Sequence, residues 1–263
     1  MSDTVDHGLL LVAEQDGVVN LTLNRPSAFN SLSEALLDRL HGELERIEGS
    51  ADARVVVLRG NGKAFCAGHD LKEMGQNRTR ADLGRLFGRC SEVMLKLTRL
   101  DVPVLAAIDG IATAAGCQLV AACDLAICTE HSRFATSGVK YGLFCSTPMV
   151  ALSRNVPRKA AMEMLLTGDF VDAERALAYG LVNQVVEVDA LESAVAAMVA
   201  RLVDKPKATL ALGKRAFYAQ LEMGLADAYA LSTEAIVDNA LMDDFDEGLA
   251  AFQEKRAPNW GRP

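Results

Sequence analysis

Two stretches of small residues have the composition and spacing to bind a negatively charged oxygen through backbone groups alone. In the later stretch, Val104–Asp124, the apolar segment Val104–Ile108 is predicted to form a buried strand. Asp109-Gly110 ends this strand, small residues follow at 112–116, and apolar positions then continue at helical spacing. The start of a helix leaves N–H groups unpaired, and the helix dipole makes them favourable partners for an anion. The alternative interpretation is a strand–helix turn that is packed tightly in a core.

An earlier turn of small residues, Ala64–Asp70, decides between these two interpretations. It contains Ala67-Gly68-His69 and follows Val55–Leu58, four consecutive apolar residues that predict a strand buried on both faces. Small side chains at both turns leave room for a ligand to approach the backbone. The pair of turns therefore favours a binding site over close packing alone.

The composition limits the classes of function that such a site can serve. Half of the 263 residues are hydrophobic, only 5% are aromatic, and the formal net charge is −8. The length predicts one large domain or two small ones with an aliphatic core, and the acidic balance argues against nucleic acid as the main partner. The sequence contains no run of about 18 apolar residues, so neither a transmembrane helix nor a membrane partner is expected.

The cysteines, the histidines and the first residues indicate a reducing compartment and no metal. None of the six cysteines forms a C-x-x-C pair and several lie in apolar runs, which predicts reduced, buried thiols. The four histidines, His7, His41, His69 and His131, lack the spacing of metal ligands, so no metal site is expected. The acidic start of the chain has no basic segment followed by an apolar stretch, so we expect no targeting peptide and predict a cytoplasmic location.

The elements that must position the two turns follow from the apolar periodicity. An Asp-Gly pair between the apolar segments Leu9–Ala13 and Val18–Leu23 predicts a β-hairpin. Ser31 and Glu34 have the spacing of a capping box that opens a helix, and Gly49 is a plausible end for it. Strands then alternate with helical segments along most of the chain, which predicts an α/β fold.

Helices dominate the end of the chain. Three closing helices are predicted, at Leu191–Val203, at Pro206–Leu221 and around Asp243–Lys255. No linker rich in proline, glycine or serine separates them from the preceding part of the sequence. The α/β part and the helical tail are therefore expected to form one continuous unit.

A series of ordered motifs resembles the enoyl-CoA hydratase, or crotonase, superfamily. The motifs are LTLNRP at Leu21–Pro26, AFCAGHDL at Ala64–Leu71, Asp109-Gly110 with AAGC at Ala114–Cys117, Cys123-Asp124, LTG at Leu166–Gly168, ALAYGLVNQVV at Ala176–Val186 and FQEKR at Phe252–Arg256. The resemblance covers nearly the whole chain. Within the superfamily the chain resembles the branch typified by enoyl-CoA hydratase domain-containing protein 3, which shares the stretches AGHDLKEM and GLFCSTP.

This resemblance implies a specific architecture and assembly. Residues 1–203 would form a ClpP/crotonase-like core, in which ββα turns wind into a spiral. Residues 204–263 would form a C-terminal helical trimerisation region that packs with the core as one unit. Proteins of this kind are typically trimers or pairs of trimers, so a homotrimer or a hexamer is expected.

The resemblance also implies the chemistry of the two turns. The backbone N–H groups of His69 and Ala115 would hold a thioester oxygen as it becomes an enolate, and donors of this kind contribute ~2.7–4 kcal/mol each. Coenzyme A would arrive as part of the substrate, with no permanently bound cofactor. Its contacts would come from the following residues, the last two in a neighbouring subunit: Arg25, Ser27, Ala28, Ala67, Asp70, Leu71, Lys72, Phe252 and Lys255.

Simpler interpretations exist for three of these residues. Lys72 and Lys255 could be ordinary solvated charges. Phe252 could pack in a core with Phe245 and Leu249, because the three residues form one apolar stripe at helical spacing.

The chain departs from the superfamily at the positions that activate water. Hydratases of this superfamily use two glutamates, which correspond here to Gln118 and Gly138. A glutamine cannot take up a proton and a glycine has no side chain, so the carboxylate pair for acid–base hydration is absent. The first candidate substitute is the side chain of His69. The resemblance implies further candidates at Cys145, Ser146 and Thr147, where the superfamily lines the acyl pocket opposite the oxyanion hole. The alternatives are that His69 acts only through its backbone and that Cys145 is a packed thiol.

The predicted function is the processing of an acyl-CoA thioester by enolate stabilisation, as in an enoyl-CoA hydratase or isomerase. Efficient hydration is not predicted. Two alternatives stay open. One is decarboxylation of a malonyl-type thioester, which needs an enolate but no water-activating carboxylates. The other is non-catalytic binding of acyl-CoA.

Overall fold

Two sheets form the centre of the protein in the computed structural model, which describes residues 4–6, 8–76 and 78–260. His7 lies outside the described residues. The strands are β1 (Thr4–Asp6), β2 (Leu10–Gln15), β3 (Val18–Leu23), β4 (Val55–Gly60), β5 (Ala64–Cys66), β6 (Val104–Ile108), β7 (Ile111–Thr113), β8 (Leu125–Thr129), β9 (Arg133–Ala135), β10 (Val171–Asp172) and β11 (Gln184–Val186). The larger sheet has the order β1-β2-β3-β4-β6-β8-β11 and the smaller sheet the order β10-β9-β7-β5.

The chain moves between the sheets in a repeating pattern. β4, β6 and β8 are parallel neighbours in the larger sheet, and the strand after each of them, β5, β7 and β9, enters the smaller sheet in parallel. Helical segments follow each pair of strands. This repetition confirms the predicted α/β fold with a ββα spiral, and it places the ends of β5 and β7 side by side.

The helices cover the sheets and form most of the C-terminal part. They are α1 (Glu34–Glu48), α2 (Leu71–Gln76), α3 (Arg80–Arg99), α4 (Ala115–Ala122), α5 (Pro148–Asn155), α6 (Arg158–Thr167), α7 (Ala173–Ala178), α8 (Leu191–Val203), α9 (Lys207–Gln220), α10 (Leu225–Ala240) and α11 (Asp243–Glu254). The prediction of three closing helices is wrong, because α10 was missed. None of its side chains is buried within the protomer, so its sequence carries no clear core-facing stripe.

Several local predictions agree with the structure. Gln15 pairs with Val18 across a two-residue turn in which Asp16 and Gly17 have φ of 51° and 79°, as the Asp-Gly hairpin requires. Val55–Leu58 is fully buried, with at most 1% exposure at any residue. All six cysteines are free and buried.

The predicted start of α1 is two residues too early. Ser33, and not Ser31, is the N-cap, and its side chain accepts a hydrogen bond from the N–H of Leu36. The Ser31 hydroxyl is engaged elsewhere, because Arg25 donates to it at 3.2 Å. A long-range contact thus decides between two serines that local spacing does not separate.

A buried ion pair ties α9 to the core. Lys214 Nζ lies 2.6 Å from Asp124 Oδ2 and also donates to the carbonyls of Leu97 and Val102 at 2.9 and 3.0 Å. The hydroxyl of Tyr218 donates to the other carboxylate oxygen at 2.9 Å.

The division of the chain at residue 203 stays a prediction. In the described part of the chain, every helix is too short or too polar to cross a bilayer.

Candidate active site

The two small-residue turns are in direct contact. A Cβ atom placed on Gly68 would lie 2.9 Å from Ala114 Cβ and 3.2 Å from the backbone nitrogen of Ala115. A Cβ atom placed on Gly116 would lie only 2.0 Å from the carbonyl oxygen of Cys66. Gly68 also has φ of 88°, which favours glycine. Glycine at both positions therefore lets the end of β5 lie against the first turn of α4.

The N–H of His69 is directed away from the loop that supports it. Leu32 donates to the carbonyl of Gly68 at 2.7 Å and accepts from the N–H of Asp70 at 3.0 Å. Both contacts involve the neighbours of His69, and successive peptide groups in an extended segment point to opposite sides. The N–H of His69 therefore faces the other side, and among the described residues it has no acceptor.

A second unpaired N–H belongs to Ala115, the first residue of α4. Ala114 precedes it at the N-cap with φ of 51° and ψ of −118°, and it provides no side-chain cap. Backbone strain of this kind at a non-glycine residue costs about 1–3 kcal/mol and is concentrated at functional sites. Ala115 is fully buried, and its N–H has no acceptor within the described residues. The helix start thus presents a buried donor beside the turn that carries His69.

The imidazole of His69 is largely buried and neutral. It packs edge-on against the ring of Phe87 with 5.0 Å between the centroids, and its Nε2 atom is buried without a partner. Burial lowers the pKa of His69 to about 4, because the charged form loses its hydration. At neutral pH this side chain is a neutral group and not a cation that would attract a carboxylate.

Gln118 lies one turn after Ala115 on α4. Its side chain is 4% exposed and its Oε1 atom is buried with no hydrogen-bond partner. An unpartnered amide in this position can hydrogen-bond a ligand or a water molecule, but it cannot act as a general base.

Main chain closes the space around Gly138, which the resemblance predicts to correspond to the second glutamate of the hydratases. Gly138 lies in a short 3₁₀ helix, Ser137–Tyr141, and a Cβ atom there would be 2.4 Å from the carbonyl oxygen of Leu143. It would also be 2.9 Å from Cys145 Sγ. The missing carboxylate is therefore not an empty space that a longer side chain could fill.

The structure separates Cys145 from Ser146, two of the substitutes predicted opposite the oxyanion site. Cys145 is 6% exposed, and burial raises the pKa of its thiol, so the sulfur stays protonated. Ser146 is exposed, with its Oγ 3.4 Å from the carbonyl of Phe144. In the protomer, Cys145 thus lies beside Gly138 while Ser146 is at the surface.

The residues predicted to contact coenzyme A fall into two groups. Arg25 and Asp70 form an ion pair with each other at 2.8 Å and are mostly buried. The other group is at least partly exposed in the protomer and comprises Ser27, Ala28, Ala67, Leu71, Lys72, Phe252 and Lys255. Within the described residues Lys72 forms no ion pair, so its charge is available to a ligand.

The simpler interpretation of Phe252 is wrong within the protomer. Its side chain is 82% exposed, and Phe245 and Leu249 are 51% and 45% exposed. The three residues do form one stripe on α11, but none of the described residues buries it in a core. An apolar stripe of this kind on a helix marks a surface that another molecule can cover.

Asn30 is a positioning residue that the sequence did not reveal. It is fully buried with φ of 55°, a conformation that asparagine tolerates better than most residues. Its amide nitrogen donates to the carbonyls of Asn61 and Ala64, and its oxygen accepts from the N–H of Arg25. The side chain thereby fixes the loop before α1 to the start of β5.

Comparisons with known proteins agree with this geometry. A family model described as enoyl-CoA hydratase/isomerase matches residues 13–263. The mouse mitochondrial enoyl-CoA hydratase domain-containing protein 3 is 44% identical over 247 residues, which cover 94% of this chain and 82% of the relative. The crystal structure of enoyl-CoA hydratase from Mycobacterium smegmatis has a TM-score of 0.94 at 53% identity and covers 96% of this chain and 98% of that one. The human enoyl-CoA hydratase domain-containing protein 3 has a TM-score of 0.93 at 42% identity and covers 96% and 100%.

These likenesses confirm the resemblance drawn from the motifs and correct one prediction. Relatives from mouse, rat and human carry a mitochondrial location in their names. This finding contradicts the predicted cytoplasmic location. That prediction rested on the polarity of the first residues and on the pattern of reduced cysteines, and neither feature determines the compartment of a protein.

Proposed function

This chain belongs to the enoyl-CoA hydratase/isomerase family, and we propose that it binds acyl-CoA thioesters and stabilises their enolate form. The carbonyl oxygen lies between the N–H groups of His69 and Ala115. The observation that carries the proposal is the contact of the two turns, with 3.2 Å from the Cβ position of Gly68 to the nitrogen of Ala115. Both N–H groups lack acceptors among the described residues. Each such donor contributes ~2.7–4 kcal/mol to a developing oxyanion.

Coenzyme A enters the site as part of the substrate. Lys72, at the start of α2, offers an unpaired charge to its phosphates. The exposed residues Ser27 and Leu71 and the partly exposed Ala28 lie in segments that adjoin the turn. Phe252 and Lys255 contact the nucleotide of a neighbouring subunit in a trimer or hexamer. Light scattering should give three or six times the 28.2 kDa of one chain. A monomeric mass at micromolar concentration would remove both the assembly and the shared site.

The proposed reaction class excludes efficient hydration. Gln118 cannot take a proton from water, and the carbonyl of Leu143 closes the space at Gly138. A positioned acid or base contributes ~10²–10⁴-fold in rate, so crotonyl-CoA should be hydrated slowly. A turnover of ~10² per second or more would contradict this reasoning, because another group would then activate the water.

The closed space at Gly138 favours decarboxylation of a malonyl-type thioester as a second candidate function. In that reaction the bond from the α-carbon to the carboxylate breaks and carbon dioxide leaves. The electron pair moves to the thioester oxygen, which becomes the enolate oxygen held by the two N–H groups. The α-carbon then takes a proton from water. None of these steps needs a carboxylate of the protein.

Mass spectrometry of the products tests the proposal. The purified protein is incubated with crotonyl-CoA, methylmalonyl-CoA and butyryl-CoA, and binding of each thioester is measured in parallel. A gain of water identifies hydration, a loss of carbon dioxide identifies decarboxylation, and binding without change identifies a non-catalytic acyl-CoA binder. Failure to bind any of the three thioesters would overturn the proposal.

A further inference from the structure

An ion pair lies directly beside the N–H of His69. Arg25 Nη2 is 2.8 Å from Asp70 Oδ2, and Arg25 Nη1 donates to the carbonyl and the hydroxyl of Ser31 at 2.5 and 3.2 Å. Both terminal nitrogens of the guanidinium therefore have partners within the protein. Only about a fifth of each of the two charged side chains is exposed, 20% for Arg25 and 16% for Asp70.

Asp70 holds the segment after His69 at three points. Its N–H donates to the carbonyl of Leu32, and its Oδ1 accepts from the N–H groups of Lys72 and Glu73 at 3.0 and 3.4 Å, in the first turn of α2. Its Oδ2 is the partner of Arg25. The hydrogen bond from Arg25 holds the pKa of Asp70 below its usual value, so the carboxylate stays charged at neutral pH.

The same loop also holds the segment before His69. The N–H of Ala67 donates to the carbonyl of Phe29 at 3.0 Å, and the N–H of Leu32 donates to the carbonyl of Gly68 at 2.7 Å. The peptide groups on both sides of His69 are thus tied to residues 29–32. Arg25 adds a side-chain link between the same two segments, because it contacts Ser31 of the loop and Asp70 of the turn.

We propose that the Arg25–Asp70 ion pair is a positioning pair that orients the N–H of His69 toward the thioester oxygen. Arg25 thereby acts on the acyl carbonyl through the backbone and not by contacting coenzyme A. This inference rests on the proposed function of the two turns. The resemblance to the superfamily assigned Arg25 to the coenzyme, whereas its engagement with Asp70 and Ser31 assigns it to the turn.

The infrared stretch of the thioester carbonyl measures this orientation directly. Butyryl-CoA labelled with ¹³C at the carbonyl is bound to the protein, and hydrogen bonds to its oxygen move the stretch to lower frequency. Arg25→Gln should reduce this shift, because an N–H of His69 misplaced by a fraction of an ångström bonds weakly, and the part of the shift that remains should come from the N–H of Ala115. The dissociation constant of free coenzyme A, measured by calorimetry, should not change.

Two control variants should differ from Arg25→Gln in the carbonyl shift and in the binding of coenzyme A. Lys72→Gln should weaken the binding of free coenzyme A and leave the carbonyl shift in place. Arg89→Gln makes the same chemical change at an exposed ion pair with Asp38 and Glu92 on the surface. It should alter neither measurement.

The outcomes separate the two proposals. Absence of the carbonyl shift in the unmodified protein would contradict the proposed function itself. A normal shift in Arg25→Gln, with or without weaker coenzyme binding, would overturn the positioning role. If Arg25→Gln does not fold, Asp70→Asn tests the same pair, since the amide oxygen can still cap α2. Unfolding of both variants would also overturn the inference, because the pair would then stabilise the whole fold and not one peptide.

Discussion

Replacement of Gly138 by alanine should destabilise the protein, because main chain fills the space for a side chain. The added Cβ atom would lie 2.4 Å from the carbonyl oxygen of Leu143, whereas ordinary contact begins near 3.4 Å. Leu143 must therefore retreat by about 1 Å. Its N–H also donates to the carbonyl of Gly138 at 3.0 Å, so the two residues are tied together. Overpacking of this kind costs about 1–3 kcal/mol.

Gly88→Ala is the matched control for this change. Gly88 lies in α3, and no heavy atom lies within 4 Å of its Cβ position in the described structure. Glycine within a helix is less stable than alanine by about 0.5–1 kcal/mol, so this variant should be more stable than the unmodified protein. Denaturant unfolding followed by circular dichroism should therefore give free-energy changes of opposite sign for the same chemical substitution.

A second variant tests whether the main chain causes the loss of stability in Gly138→Ala. Cys145→Ala removes the sulfur that lies 2.9 Å from the Cβ position but leaves the carbonyl of Leu143 in place. Gly138→Ala should therefore remain destabilising in that background. If Gly138→Ala is as stable as the unmodified protein, the segment from 138 to 143 is open in solution. The argument against a second glutamate at this position then fails.

Three further predictions concern the turns and the C-terminal region. Ala115→Val adds two methyl groups at a fully buried position, so it should weaken acyl-CoA binding. A folded variant with unchanged affinity would show that the thioester does not bind at these turns. Burial lowers the pKa of His69 from 6.5 to about 4. Between these two pH values the unfolded chain binds a proton that the folded chain does not bind. The free energy of unfolding should therefore fall by up to about 3 kcal/mol as the pH drops from 6.5 to 4. His69→Asn should remove this part of the pH dependence and the exposed control His131→Asn should not. Lys214→Met leaves Asp124 without its buried cation, so it should lower the free energy of unfolding in denaturant by about 3–5 kcal/mol. A decrease below about 1 kcal/mol would refute a stabilising role for the ion pair.

Local patterns in the sequence determined much of the fold. The Asp-Gly hairpin, the fully buried strand before the first turn and the strand before the second turn all depend on neighbouring residues. Their φ/ψ preferences and apolar periodicity can be predicted without knowledge of distant contacts. The motifs also indicated the family, which the comparisons confirm. The roles of the individual site residues stay predictions.

Only the tertiary structure decided which atoms surround the candidate site residues. Arg25 and Asp70 are 45 positions apart, so the sequence does not indicate that they form an ion pair. From the sequence, both residues were predicted to contact coenzyme A. The glycine at 138 read as a lost side chain, whereas the fold brings the carbonyl of Leu143 into that space. The choice of Ser33 over Ser31 as a cap has the same origin. In each case, atoms from distant parts of the chain compete for one position, and packing and hydrogen bonding, which are not local, decide the outcome.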